Sequence, residues 1–363
     1  MALLRIDGFD AYGANGASLD AILQTAGYVA ADCAKASTDV RAGTGKSLQF
    51  TIGSADRGLC AIRYAFEAKD TIIIGFAFKY NKTNWKALVG FGYDNYLGTV
   101  TIGAGVWVNA SGGISFTLGT DTLLKASAPN ILSSDVWHFC EIRYTPHATN
   151  GSIVCRIDGV ECVAFNGQTT LTTLPNTVNM MKIGAAQSDY WNQPSQGYFN
   201  CWVDDLYVCD TLGTEFNDFL GDCVVQTLLP ESDAGPNDLS LVGNTTYAHY
   251  SCVADTVPDE DTSYLFGNTN GTREVFGLPD LPTDVLAVLA VAIDVRAKKV
   301  AAGDSTFKML AKVDTDEVLS GAQSLVSKWL TRQFVMENAP GGGDWTVNRV
   351  NGLNVGFELE VGS

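Results

Sequence analysis

The sequence predicts an all-β protein built as two sandwiches in succession, and three observations carry that expectation. Trp137 to Val163, WHFCEIRYTPHATNGSIVCRIDGVECV, reads as a strand, a polar loop and a strand–Asp-Gly–strand hairpin. Phe199 to Asp210, FNCWVDDLYVCD, reads as a strand with large apolar groups on both faces, hence an internal one. Between residues 47 and 118, short apolar runs recur between Gly and Asn turns, which is the spacing of a sandwich rather than of βαβ units.

In chain order, residues 1–16 read as a strand and a Gly-rich turn. Ser18 to Ala26 fits a short helix: Leu19, Ile22 and Leu23 share a face, and Gly27 ends it. Strands follow at Ser47–Ile52, Leu59–Phe66, Thr71–Tyr80, Trp85–Tyr93, Thr99–Val108 and Gly113–Leu118. In the hairpin, Asp158-Gly159 forms the turn. Ile157 then faces Val160, Arg156 faces Glu161 and Cys155 faces Cys162, which makes Cys155–Cys162 a candidate disulfide. In the last strand of this half, strict alternation puts Cys201, Val203, Asp205, Tyr207 and Cys209 on one side, with Trp202, Asp204, Leu206 and Val208 on the other.

Length and charge bound the rest. A chain of 363 residues with 46% hydrophobic residues suggests two domains, and the character changes near Thr211 to Asn217. We expect domains at 1–215 and 216–363. Residues 1–215 carry 19 acids and 14 bases, net −5, and residues 216–363 carry 21 acids and 9 bases, net −12. Such acidity disfavours nucleic acid, and no basic amphipathic or long apolar stretch points to a membrane. The start, MALLRIDGFD, does not read as a secretory signal. In the second half, Phe219–Leu229 reads as a strand and Pro230–Asn244 as a loop. Leu289–Arg296, Phe307–Asp314 and Val355–Val361 read as strands, and Trp345–Leu353 as a short helix.

The opening LLRIDGFDAYG, with WHFCEIRY, SIVCRIDGVECV, WVDDLYVCD and the later FLGDCVVQTLLPESDAG, resembles the laminin-G-like, concanavalin A-type jelly rolls of tailed-bacteriophage structural proteins. The resemblance implies a jelly roll over 1–215 followed by a smaller β-sandwich-like domain. It also implies a non-enzymatic virion protein (capsid decoration, neck or collar, or tail fibre) that contacts other virion proteins and copies of itself. The alternative is a carbohydrate-binding module for host attachment, and a third reading is a glycan-degrading enzyme with an unrecognised site.

The residues supply little chemistry for that third reading. Glycosidases need two carboxylates flanking the bond. Asp204 and Asp205 are adjacent and on a regular strand would point to opposite faces. No Gly-x-Ser-x-Gly and no Cys-x-x-Cys occurs, and His138 reads as a packed residue. No cofactor is expected. The one cation considered is calcium, at Asp255, Asp259, Glu260 and Asp261, without EF-hand spacing. For a glycan, Tyr190, Trp191 and Tyr198, flanking a polar loop, are the candidate contacts.

Overall fold

The computed structural model describes residues 2–13, 17–30, 34–42, 45–52, 59–81, 86–95, 100–120, 122–186, 199–243, 248–300 and 304–361. The chain divides into two compact units, Met1–Val225 and Gln226–Ser363. The division lies beyond the 215/216 boundary expected from sequence, because residues 218–225 are hydrogen-bonded to the first unit's sheet.

The first unit runs β1 (Leu3–Asp7), α1 (Ala17–Thr25), β2 (Tyr28–Ala30), β3 (Ala34–Ser37), β4 (Ser47–Ile52), β5 (Leu59–Lys69), β6 (Ile72–Tyr80), β7 (Lys86–Asp94) and β8 (Val100–Val108). It continues with β9 (Ile114–Leu118), β10 (Thr122–Ala126), β11 (His138–Thr145), β12 (Gly151–Ile157), β13 (Val160–Gly167), β14 (Val178–Ala186) and β15 (Phe199–Asp210). Among the described residues these form two antiparallel sheets. One is eight-stranded, in the order β13-β12-β11-β6-β15-β4-β3 with β1 on β15. The other is seven-stranded, β10-β9-β8-β7-β14-β5-β2. Alternate residues of both sheets meet in one core, where the rings of Phe91 and Tyr144 stack with centroids 4.6 Å apart. The helix adds Leu19, Ile22 and Leu23 to that core and stops where Gly27 turns to φ 92°.

Two bulges overturn the expected alternation. The Asp158-Gly159 turn has φ 51° and 76°, as a two-residue hairpin with right-handed twist requires. Arg156 opposes Glu161 as expected, but the register then shifts and Cys155 opposes Val163. Cys162 is the extra residue of a β-bulge, so the expected Cys155–Cys162 disulfide is absent and both are free thiols. The Cys162 thiol donates instead to the Cys155 carbonyl at 3.4 Å. Alkylation of denatured, unreduced protein is expected to label both; a linked Cys155–Cys162 peptide in the mass spectrum would contradict the bulge. In β15 the register breaks between Asp204 and Tyr207, with Asp205 at φ 53°. Beyond the break Leu206 and Val208 face the core, and Tyr207 and Cys209 lie outside the core cluster, the reverse of strict alternation.

The second unit runs β16 (Ser232–Asn237), β17 (Ser240–Val242), β18 (Tyr264–Phe266), β19 (Arg273–Gly277), β20 (Val291–Ala297), β21 (Ser305–Val313), β22 (Asp316–Leu319), β23 (Gln323–Ser324), β24 (Leu330–Met336), α2 (Val347–Asn351) and β25 (Leu353–Val361). A six-stranded sheet, β16-β19-β25-β21-β22 with β23 on β21, accompanies the ribbons β17–β18 and β20–β24 among the described residues. Ile293 and Met336 of one ribbon pack with Phe307 and Met309 of the sheet. The segment expected as a strand, Phe219–Leu229, forms none, and the expected loop Pro230–Asn244 contains β16 and β17. β16 carries polar residues because it is an exposed edge of its sheet.

Candidate functional site

The outward face of the eight-stranded sheet falls into two parts, one covered by residues 218–225 and an open one, on which Trp137, Trp202 and Gln49 are partly exposed. The amides of Leu220, Gly221 and Val225 donate to Tyr207 Oη, Glu141 Oε1 and Asp205 Oδ1 at 3.2, 2.8 and 2.8 Å. The Phe219 ring lies 4.8 Å and 4.2 Å from the guanidinium carbons of Arg143 and Arg156. Asp218 pairs with Arg143 and Asp222 with Arg41. Tyr207 Oη donates to Glu141 Oε1 at 2.6 Å, and both residues are buried.

The bulge also corrects the expectation for the paired aspartates. Asp204 and Asp205 do not diverge: both carboxylates turn to Arg41, Asp204 Oδ2 accepting its amide at 3.4 Å and Asp205 Oδ2 facing Nη1 at 3.3 Å. Burial pushes the Asp204 carboxyl up to about 8, and the neighbouring Asp205 charge adds to the rise. Asp205 is also raised, chiefly by burial. Because the folded value for Asp204 lies above the unfolded 3.8, its contribution is fully present below that pH and is lost as pH rises through about 8. Thermal melting is therefore expected to fall from about pH 4 to about pH 8 and to level off above that. Asp204→Asn should flatten that fall and gain about 1–2 kcal/mol at the alkaline end. An unchanged pH slope in the variant would contradict the assignment.

The open part carries a row that runs across four strands and the residue preceding a fifth. Trp137 immediately precedes β11 and stands beside Lys79 of β6. Lys79 opposes Trp202 of β15, Trp202 opposes Gln49 of β4, and Gln49 opposes Lys35 of β3. Their neighbours Phe78, Val203, Leu48 and Ala34 point into the core, so pleating turns the whole row outward. Lys79 Nζ lies 5.4 Å from the Trp137 ring centroid and 4.8 Å from that of Trp202, and it pairs with Asp39 on the segment after β3. Both indoles are partly exposed. Two residues further along the strands, Asn81, Asn200 and Thr51 continue the same face; Asn200 opposes Thr51, and its amide donates to Asn81 Oδ1 at 2.8 Å. Among the described residues, Trp137 Nε1 and Asn200 Oδ1 have no hydrogen-bond partner.

The glycan contacts expected from sequence, Tyr190, Trp191 and Tyr198, lie outside the described residues. Trp137 and Trp202 stand in the two most legible strands. Sequence reasoning missed them as a pair because they become neighbours only through β6, which precedes both in the chain.

Other chemistry-bearing residues serve the fold. His138 Nδ1 bonds Asp158 Oδ2 at 2.7 Å and its Nε2 accepts the Ser133 amide at 3.0 Å, which locks the hairpin turn. His147 Nδ1 accepts the amides of Thr149 and Asn150 at 3.0 and 2.9 Å. In the second unit, His249 bonds Glu274, whose carboxyl is raised chiefly by burial. Of the acidic residues considered for calcium, Glu260 pairs with Arg296 and Asp261 with Lys298, while Asp259 accepts the Ser263 hydroxyl. Among the described residues no group of three His, Cys, Asp or Glu is placed to hold a metal ion.

No protein-family model and no curated protein matches the chain. Similar solved structures include a sialidase at 9% identity and TM-score 0.36, covering 57% of this chain and 18% of that one. The alginate lyase Aly36B matches at 11% identity and TM-score 0.38 over 56% of this chain and 95% of its own. Trypanosoma rangeli sialidase in complex with sialic acid matches at 11% and 0.34, over 50% and 27%. Likeness at this level concerns β architecture alone. The functional expectation is corrected to this extent: these structures are named as sialidases and an alginate lyase rather than as phage structural proteins, and the non-enzymatic virion role is not carried further.

Proposed function

We propose that the first unit is a carbohydrate-binding domain whose contact surface is the Trp137–Lys79–Trp202–Gln49–Lys35 row. The carrying observation is the row itself: two indoles on the open face of a rigid sheet, with a cation between them and amides beside them. Sugar rings present C–H faces that stack on indoles and hydroxyls that need donors and acceptors at the edges. Trp137 and Trp202 are separated by one strand, hence by about 10 Å, which suits two sugars of one oligosaccharide lying across the strands. Asn81, Asn200, Thr51 and Gln49 supply hydrogen-bonding groups along that path. Four of the five residues lie on strands and Trp137 directly precedes one, so little ordering cost falls on binding.

The test is calorimetric titration against a panel of oligosaccharides. Trp202→Ala and Trp137→Ala are each expected to weaken binding about tenfold or more, as loss of a stacked anchor does. The melting temperature should stay close to the parent's, since both side chains are outside the core. Undiminished binding by both variants would place the site elsewhere.

A further inference from the structure

Resting on the carbohydrate reading of this row, we infer that its ligand is a carboxylate-bearing glycan, and that Asp39 holds the position the ligand's carboxylate takes on Lys79. Lys79 is nearly buried between two indoles, where an ammonium is costly to keep without an anion. Asp39 supplies that anion from outside the sheet. It lies on the short segment between β3 and β4, and its side chain is 44% exposed. Its backbone is held independently of its carboxylate: the amide donates to Ser37 Oγ at 3.1 Å and the carbonyl accepts from Ser47 Oγ at 2.6 Å. The carboxylate can therefore swing away without disturbing the chain.

A neutral sugar stacked on Trp137 and Trp202 would leave the Lys79–Asp39 pair in place and gain nothing from it. An acidic sugar stacked there brings a carboxylate to Lys79 within the same aromatic frame and releases Asp39 to water. Lys35, exposed at the far end of the row, offers a second cation to the next acidic residue of the chain. The protein as a whole carries net charge −17, so the two lysines of this row offer an anionic ligand a local attraction that the overall charge does not.

The test compares an oligouronate, its carboxyl-reduced neutral counterpart and a sialylated oligosaccharide, each titrated against the parent, Asp39→Asn and Lys79→Gln. The parent is expected to prefer at least one acidic ligand over the neutral one, and which acid binds identifies its source. Asp39→Asn should bind that acid about two- to fivefold more tightly, because the competing partner of Lys79, itself partly exposed, is removed. Lys79→Gln should lose the preference. Asp39→Asn is the decisive variant if Lys79→Gln folds poorly, since Asp39 is peripheral. Equal binding of acidic and neutral ligands, with Asp39→Asn indifferent, would overturn this inference and leave carbohydrate binding standing. Failure of every saccharide to bind would remove both.

Discussion

Asp7→Ala is expected to cost the first unit about 3–5 kcal/mol, a large fraction of the roughly 5–15 kcal/mol of an ordinary domain. Asp7 lies at the end of β1 and gathers four donors. Its Oδ2 accepts from Arg5 Nη2 at 2.9 Å, Tyr12 Oη at 2.7 Å and Tyr28 Oη at 2.8 Å, and its Oδ1 accepts the Phe9 amide at 2.9 Å. All four residues are buried. The Arg5 guanidinium also lies 4.8 Å from the Tyr28 ring centroid and donates to the Ala26 carbonyl at 3.0 Å, which ties β1 to the end of α1. Removing the carboxylate strands a buried cation and two phenols at once. Burial pushes the Tyr28 hydroxyl well up, so it remains a donor wherever the fold persists. Tyr28→Phe, which removes one donor, should cost only about 1 kcal/mol. Chemical denaturation of the three proteins checks the order. Equal stability of Asp7→Ala and Tyr28→Phe would show that the network is not cooperative.

Gly75→Ala is expected to be the most damaging single-methyl addition on the outward face of the eight-stranded sheet. Gly75 opposes Tyr207, whose ring lies flat over it; a Cβ there would come within 2.1 Å of Tyr207 Cε1. The ring cannot retreat, because its hydroxyl is held by Glu141 and by the Leu220 amide. Overpacking of this kind costs about 1–3 kcal/mol, and loss of the Glu141 bond adds to it. The double variant Gly75→Ala/Tyr207→Ala should cost less than the sum of the singles, since the clash vanishes with the ring. Strict additivity in urea melts would mean that the ring and the glycine do not share that space.

Much of this architecture is legible in the residues. The Asp158-Gly159 turn, the helix ended by Gly27 and the strands around Ile72–Tyr80 and Leu353–Val361 follow from turn chemistry and periodicity, and all are present. The two bulges were not legible, because a period of two carries no mark of the residue at which it slips. The hint was Asp205 itself, since Asp is among the few non-glycine residues that tolerate a left-handed backbone. Phe219 and Leu220 read as strand residues because they are apolar; they cover a sheet face instead of joining it. The row was the least legible feature. Trp137 immediately precedes β11, and Lys79, Trp202, Gln49 and Lys35 lie on β6, β15, β4 and β3; the sheet order β11-β6-β15-β4-β3 is unrelated to chain order, and no local pattern reports such a juxtaposition.

The central claim is that oligosaccharide lies on this row, and indole N–H resonances report on it directly. In a ¹⁵N-labelled sample titrated with a binding oligosaccharide, the Trp137 and Trp202 indole signals should shift in a saturable manner. Trp345, whose Nε1 donates to the Met336 carbonyl at 3.0 Å inside the second unit's core, serves as the stationary reference. Saturable binding that leaves Trp137 and Trp202 unmoved would contradict the claim.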